Sequence, residues 1–374
     1  MKKKKVFVFE YTNFNLGDDL FIHQLVKRYP NVKFIMILHK KYYNVFKSFN
    51  YNNIKVYCTD SLLFRILNKF ELLRKYKEHI ILSTDYGVYI GGSIFMEGES
   101  QESDKKRLEK LYPTKRLMII GCNFGPYRHE AYLKNIKLAL SKMLDVCFRD
   151  KYSFNLLTDN KTNIRYAPDI LFGIQIPQTT ITPKKESVFY SVIDCNSKTE
   201  GSISLAEYEN EYINLITEGV EESIDKNYRI VLCSFCNNQN DNVAIKRIIK
   251  RIPVSKRGYI DVLEYDGFNY MNIIQEMQNA ELVVASRFHA AVLGFTLETP
   301  VLPVVYSKKT INVLKDIGFL NHYINIKEIK SEDYHIIKQP NNYITKYKYI
   351  TNISEIRNQS LGHFLVADSL FSEK

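Results

Sequence analysis

Short apolar runs alternate with amphipathic ones along most of this 374-residue chain, and that alternation limits the fold more than any other feature. The runs Val6–Glu10, Lys33–Leu38, Ile54–Tyr57, Gly87–Ile90, Leu117–Ile120, Val146–Phe148 and Ile164–Tyr166 are rich in β-branched and aromatic residues. They lack the polar alternation of a half-exposed strand, so they read as strands buried on both faces. Between them, Leu20–Tyr29, Tyr42–Phe49, Ser61–Lys77 and Glu130–Leu144 have helical spacing, with Phe21, Leu25 and Val26 sharing one side of the first and Ser61 as a cap. Strands alternating with helices predict a parallel sheet covered on both faces.

Gln175–Ser187 is poor in apolar residues, holds Pro177 and Pro183, and reads as an interdomain linker. The alternation then restarts. Strands are predicted at Val188–Ile193, Ile230–Phe235, Tyr259–Leu263, Leu282–Ala285 and Val301–Tyr306. Helices are predicted at Leu205–Ser223, Asp241–Arg251, Tyr270–Gln278, His289–Leu297 and Ser307–Ile317, the last closed by Gly318. Leu320–Ile350 gives no clear period. Ser354–Phe371 reads as one amphipathic helix. A chain of this length exceeds one core. The predicted architecture is α/β, with an N-terminal Rossmann-like domain over 1–176, a second over 186–345, a cleft between them, and a C-terminal helix over 350–374 packing back. Ligands of such sheets sit beyond the carboxyl ends of the strands.

The net charge is +11, from Lys+Arg 52 against Asp+Glu 41, which favours anionic ligands or an anionic membrane surface. Lys, Asn, Ile and Tyr are all abundant and Trp is absent. That is a general compositional bias, so most lysines read as solvated surface. No basic segment is interleaved with aromatics in the manner of a nucleic-acid binder. Met1–Lys5 is basic, but Val6–Phe9 is too short for a signal peptide, and no window has the apolar length of a membrane span. The expected location is cytoplasmic, with the option of peripheral contact with the membrane face. Six cysteines are scattered; Cys233-x-x-Cys236 lacks the surroundings of a redox motif and has no second pair to complete a zinc site. No metal or cofactor is expected.

Candidate site residues cluster at strand ends. Ser286, Arg287 and His289 stand where Leu282–Ala285 hands over to a helix. A helix N-terminus offers unpaired N–H groups and partial positive charge, and an arginine and an imidazole added there make an anion site. The alternative at that point is a surface arginine and a satisfied histidine. After the first strand, Asn15 can bond a sugar hydroxyl, Gly17 admits close backbone approach, and Asp18 can accept a proton; the alternative is an Asp-capped helix start. Gly91, Gly92 and Ser93 supply N–H donors but are not a dinucleotide fingerprint. Gly125-Pro126 is a rigid turn. Arg149 follows a buried strand and either points toward ligand or pairs with Asp150, with Ser153 opening the next helix. Lys308 or Lys309 is placed to reach the anion held by Arg287, although a surface lysine is the default.

In order and spacing, N-x-G-D at Asn15–Asp18, G-G-S at Gly91–Ser93, the F-G-P of Phe124–Pro126, R-D-x-x-S at Arg149–Ser153, P-D at Pro168-Asp169, S-R-x-H-A at Ser286–Ala290 and P-x-x-P-x-x-Y-x-x-K at Pro300–Lys309 resemble the polysaccharide pyruvyl transferases. The resemblance runs from about Val6 to Ile317. Departures are Ser93 for a third glycine, Glu97 near the place of an Asp, and Cys236 for a frequent histidine. The resemblance implies a GT-B-like fold, phosphoenolpyruvate as donor, and a sugar acceptor, expected to be a lipid-linked glycan. It also implies Arg287 and His289 as donor-binding and catalytic residues, Arg149 as a second anion contact, and Asn15, Gly17 and Asp18 on the acceptor side, Asp18 as base. The alternatives are a GT-B-type glycosyltransferase using a nucleotide-sugar and a non-catalytic glycan-binding protein.

Overall fold

A computed structural model describes residues 3–10, 13–48, 51–98, 104, 116–159, 163–176, 187–201, 203–319, 323–339 and 352–372. The chain forms two compact units. The first comprises residues 1–12, 18–170 and 359–374, and the second 13–17 and 171–358.

The first unit is built on a seven-stranded sheet of β1 (Lys5–Phe9), β2 (Lys33–Leu38), β3 (Ile54–Cys58), β4 (Tyr86–Ile90), β5 (Leu117–Cys122), β6 (Asp145–Phe148) and β7 (Ile164–Tyr166). Its order is β3-β2-β1-β4-β5-β6-β7, and every neighbouring pair is parallel. Every side chain of β5 and β6 is buried, as strands covered on both faces require. The order reverses between β1 and β4, so the loops after those strands occupy the switch point where such sheets bind ligands.

Three helices depart most from the sequence reading. The helix predicted from Leu20 begins at Leu16 and runs to Arg28, so Asp18 and Asp19 lie in its first turn, where carboxylates complement the macrodipole. The helix predicted over Ser61–Lys77 is two helices, Leu62–Lys69 and Leu73–Leu82. Glu71 adopts φ +56, and the N–H groups of Glu71 and Leu72 return to the carbonyls of Asn68 and Leu67. This is a Schellman ending with Glu where glycine is usual, which is why no stop is visible in the sequence. The C-terminal helix is also split, into Ile353–Ser360 and Leu365–Phe371 around a turn at Leu361–Phe364. The turn frees the Gly362 carbonyl to accept from Arg165 Nη1 at 2.6 Å.

That C-terminal segment completes the first unit. Arg28 grips Asp368 through Nε and Nη2 at 2.8 and 2.7 Å, and Tyr29 Oη donates to the same carboxylate at 2.7 Å. The Tyr29 ring meets Phe371 edge-on at 5.1 Å, and Lys4 Nζ donates to the Leu370 carbonyl. His363 is wholly buried; its Nε2 lies 2.9 Å from the Pro168 carbonyl, which can only accept, so Nε2 carries the proton.

The second unit repeats the plan with β8 (Ser187–Ser191), β11 (Arg229–Ser234), β12 (Ile260–Glu264), β13 (Leu282–Ala285), β14 (Val301–Val305) and β15 (Ile324–Asn325), ordered β12-β11-β8-β13-β14-β15. All pairs are parallel, and the reversal lies between β8 and β13. A small hairpin, β9 (Thr199–Glu200) with β10 (Ile203–Ser204), follows β8. Within the stretch that gave no period, β15 and the helix Ser331–Lys338 add to this unit; 320–322 and 340–351 lie outside the described residues, as do 177–186 of the predicted linker. Among the described residues no helix is long and apolar enough to cross a membrane.

Two imidazoles, His363 wholly buried and His23 half-buried, set an acid limit. Burial, reinforced by Lys27, holds His23 down at about 4. Burial, opposed by the Pro168 carbonyl and reinforced by Arg165 and Arg149, holds His363 at about 3. In the unfolded chain both titrate near 6.5. Below that value the unfolded chain binds protons that the folded chain refuses, so this stability is complete above it and drains away as pH falls. Urea midpoints measured from about pH 7.5 down to about pH 5 should therefore decline, and His363→Gln should flatten part of the decline.

Candidate functional site

At the switch point of the second unit, β13 ends at Ala285 and the helix Phe288–Thr296 begins behind Arg287, its N-cap residue. The junction is tied to the end of β8: Ser286 N donates to Ser191 O at 3.0 Å, and Arg287 N to Ser191 Oγ at 3.1 Å. Ser286 Oγ accepts from Tyr212 Oη at 2.9 Å, so Ser286 is buried in the frame. Tyr212 Oη in turn accepts from Ile193 N at 3.1 Å.

Arg287 is 7% exposed and Asp241 0%. The guanidinium meets the carboxylate side-on, Nε to Oδ2 at 2.8 Å and Nη2 to Oδ1, and Nη1 donates to Gln239 Oε1 at 2.5 Å. Burial opposes the Arg287 charge, but Asp241 outweighs it and raises the guanidinium above its ordinary value. Three of its five N–H groups are used in these bonds, which leaves two for a ligand. Asp241 opens the helix Asp241–Arg251 and also accepts from Cys236 N at 3.0 Å. Lys198, 8% exposed, donates through Nζ to the same Gln239 Oε1. Burial and then the Arg287 charge bring its ammonium down to about 7. Both Cys233 and Cys236 thiols are pushed up by burial, the opposite of a reactive thiolate.

His289 is the second residue of the same helix, half-buried, its ring against Phe288 at 5.0 Å. It lies on Gly17. A Cβ at that position would come within 1.8 Å of His289 Nδ1, so any side chain there would have to push the ring aside. Residues 13–17 are held to this unit by Leu16 N to Phe235 O at 3.1 Å, by Asn238 Nδ2 to Asn13 Oδ1 at 2.9 Å, and by Cys236 Sγ to Asn13 O at 3.5 Å. Asn15 Oδ1 accepts from Gly17 N at 3.2 Å and shapes the turn. Asp18 is half-buried in the first helical turn and belongs to the first unit.

Of the two lysines after β14, Lys309 is the one whose charge bears on Lys198. Lys308 is exposed, and its backbone N–H donates to Glu200 Oε1 at 2.7 Å. The Arg287 charge also partly offsets the rise that burial imposes on the Tyr306 phenol.

In the first unit, Arg149 is buried to 2%. Its partner is Asp169 rather than Asp150: Nη1 reaches Asp169 Oδ2 at 2.9 Å, and Nη2 reaches Asn123 Oδ1 at 2.8 Å. Gly92 gives it room, because a Cβ there would stand 2.6 Å from Nη2. The Gly92 carbonyl accepts from Asn123 N at 2.8 Å, and Ser93 Oγ donates to Asn123 Oδ1 at 3.3 Å. Asp150 instead caps the helix Lys151–Leu157 through Ser153 N at 2.8 Å. Ser153 is fully buried; its hydroxyl donates to Asp150 Oδ2 and accepts from Phe124 N, each at 2.8 Å. That contact positions the loop holding Gly125, which has φ +88 and whose N–H donates to Phe95 O at 2.8 Å; Gly91 directly follows β4. Arg149, Gly92, Ser93 and Ser153 are thus brought together in one unit, and Arg287, His289 and Gly17 in the other. The sequence reading missed Asp241, Gln239, Ser191 and Lys198.

Two substitutions test this arrangement. Asp241→Ala strands a buried guanidinium and should cost about 3–5 kcal/mol in urea unfolding; a loss near zero would mean that the pair is solvated. Gly17→Ala should leave the fold intact and displace the His289 ring, seen as a shift of its imidazole NMR signals.

Residues 15–308 match the model of the polysaccharide pyruvyl transferase family. The amylovoran biosynthesis protein AmsJ of Erwinia amylovora is 20% identical over 309 residues, 77% of this chain and 73% of that protein. Among solved structures, HepE of Anabaena in complex with UDP and glucose superposes with TM-score 0.59 at 11% identity over 100% of both chains. The UDP-GlcNAc 2-epimerase of Methanocaldococcus jannaschii does so with TM-score 0.59 at 13% identity, over 99% of this chain and 100% of that one. These likenesses establish a GT-B-type α/β fold. By the family match across most of its length, the chain belongs to the polysaccharide pyruvyl transferase family.

Proposed function

We propose that this protein transfers the pyruvyl group of phosphoenolpyruvate to a sugar of a polysaccharide or lipid-linked glycan, forming a cyclic ketal and releasing phosphate. The observation that carries the reading is the cationic cluster at the second switch point, around Arg287, in a chain of this family. A donor bearing both a phosphate and a carboxylate needs fixed cationic N–H groups more than apolar contact.

The chemistry balances with these groups. Protonation of the donor's C3 methylene makes C2 electrophilic, and a sugar hydroxyl adds there. The C2–O bond to phosphate breaks, and a second hydroxyl closes the ketal. Of the two hydroxyl protons, one replaces the proton given to C3 and the other leaves on phosphate. The two remaining N–H groups of Arg287 and the start of the helix Phe288–Thr296 hold the anion. His289, fixed by Gly17, is assigned the proton delivery, Asp18 the role of base, and Asn15 the acceptor side. Gly91, Gly92, Ser93, Gly125, Arg149 and Ser153 of the first unit, and Ser286 and Lys308 of the second, are assigned to substrate binding. The similarity to a protein of amylovoran biosynthesis supports a role in polysaccharide biosynthesis. A cytoplasmic protein meeting its lipid-linked acceptor at the membrane face accords with the chain's net charge of +11.

Incubation with phosphoenolpyruvate and candidate glycans should yield a product heavier by a pyruvate ketal, together with free phosphate. Because Arg287→Ala would leave Asp241 as an uncompensated buried charge, Arg287→Lys is the sharper variant. It keeps the charge but loses the fork, and should cut kcat/KM roughly a hundredfold while the thermal midpoint holds. Thermal protection by a nucleoside diphosphate and none by phosphoenolpyruvate would instead favour a nucleotide-sugar glycosyltransferase.

A further inference from the structure

The charge balance around Arg287 is incomplete. Asp241 neutralises the guanidinium that it pairs with, so that pair brings no net positive charge to an anion. Lys198 does. Its Nζ is bonded to Gln239 Oε1, the atom that also accepts from Arg287 Nη1, so one amide oxygen sets both cations side by side. Among the described residues Lys198 has no carboxylate partner; the Asp241 carboxylate is taken by Arg287 and Cys236 N. Glu200, two residues along, is likewise engaged by Lys308 N and Lys327 Nζ. An ammonium 8% exposed, with two of its three N–H groups outside these bonds, is costly in a resting protein and useful only to an incoming acceptor.

We propose that Lys198 is the second anion-binding cation of the Arg287 site, and that it takes up a proton from solvent when a phosphate- or carboxylate-bearing ligand enters. The groups facing it are Arg287 and Lys309, which disfavour its charge, and Asp241 and Cys236, which favour it. In the absence of ligand, burial and Arg287 leave the ammonium at about 7. An anion placed against it reverses the balance, so binding above neutral pH draws in a proton. The identity of the natural ligand rests on the proposed function; the role of Lys198 does not.

Calorimetric titration at about pH 8 in two buffers of different ionisation heat tests this, with sulfate, which has no titratable proton there, and with phosphoenolpyruvate. The wild type should take up close to one proton per bound anion. Lys198→Met should bind roughly 10- to 100-fold more weakly and without proton uptake. Lys198→Arg should keep the affinity and lose the uptake, which a purely structural lysine would not do. Binding without proton uptake in the wild type, no binding of either anion, or a Lys198→Met variant that keeps both affinity and uptake overturns the proposal. Proton-linked binding of sulfate with no binding of phosphoenolpyruvate upholds Lys198 and removes the pyruvyl donor.

Discussion

The ion pair of Arg287 with Asp241 is the contact from which the second unit's functional end is built. Two charges taken out of water are costly unless geometry and further hydrogen bonds satisfy them. Here the side-on pairing, the Gln239 oxygen and the Cys236 N–H do so. Each bond fixes a different piece of chain: the start of one helix, the loop before it, and the junction after β13. The guanidinium has no latitude to turn, and its two unused N–H groups keep a set direction. That is preorganisation, the condition under which electrostatic stabilisation of a transition state is large.

The first unit uses the same device with different parts. Arg149 is buried, paired with Asp169 and bonded to Asn123, and a glycine supplies the space that its side chain occupies. In both units the glycine of a motif is explained by the cationic or imidazole side chain packed on it, Gly92 by Arg149 and Gly17 by His289. The motif residues that read as ligand contacts in sequence divide accordingly. Some carry charge, while others, such as Ser153 and Ser286, hold the charged ones in place.

Much of this was legible in the chain. Buried parallel strands announce themselves as apolar runs, and Leu282–Ala285 and the helix Asp241–Arg251 were bounded correctly because strong local signals flank them. What failed were features decided by distant partners. The stop at Lys69 uses Glu71 in a left-handed conformation that its residue type does not advertise. The break at Leu361 depends on Arg165, far along the chain. Asp241 looked like a helix-start acid, and its tie to Arg287 spans a sequence separation that no local period records. Lys198 lies in a polar stretch, Cys-Asn-Ser-Lys-Thr-Glu, where solvated surface is the default, and only its burial marks it out.

The stitching of residues 359–372 onto the first unit bears on how the chain is made. The partners of Arg28, Tyr29 and Lys4 are synthesised only after the second unit. The first unit therefore waits, with Tyr29 and the Ala167-Pro168 turn uncovered, until the second has been synthesised in full. A fragment ending before β8 would lack the Asp368 and Phe371 contacts and leave the Tyr29 side uncovered. The first unit is thus closed only by chain that lies beyond the second.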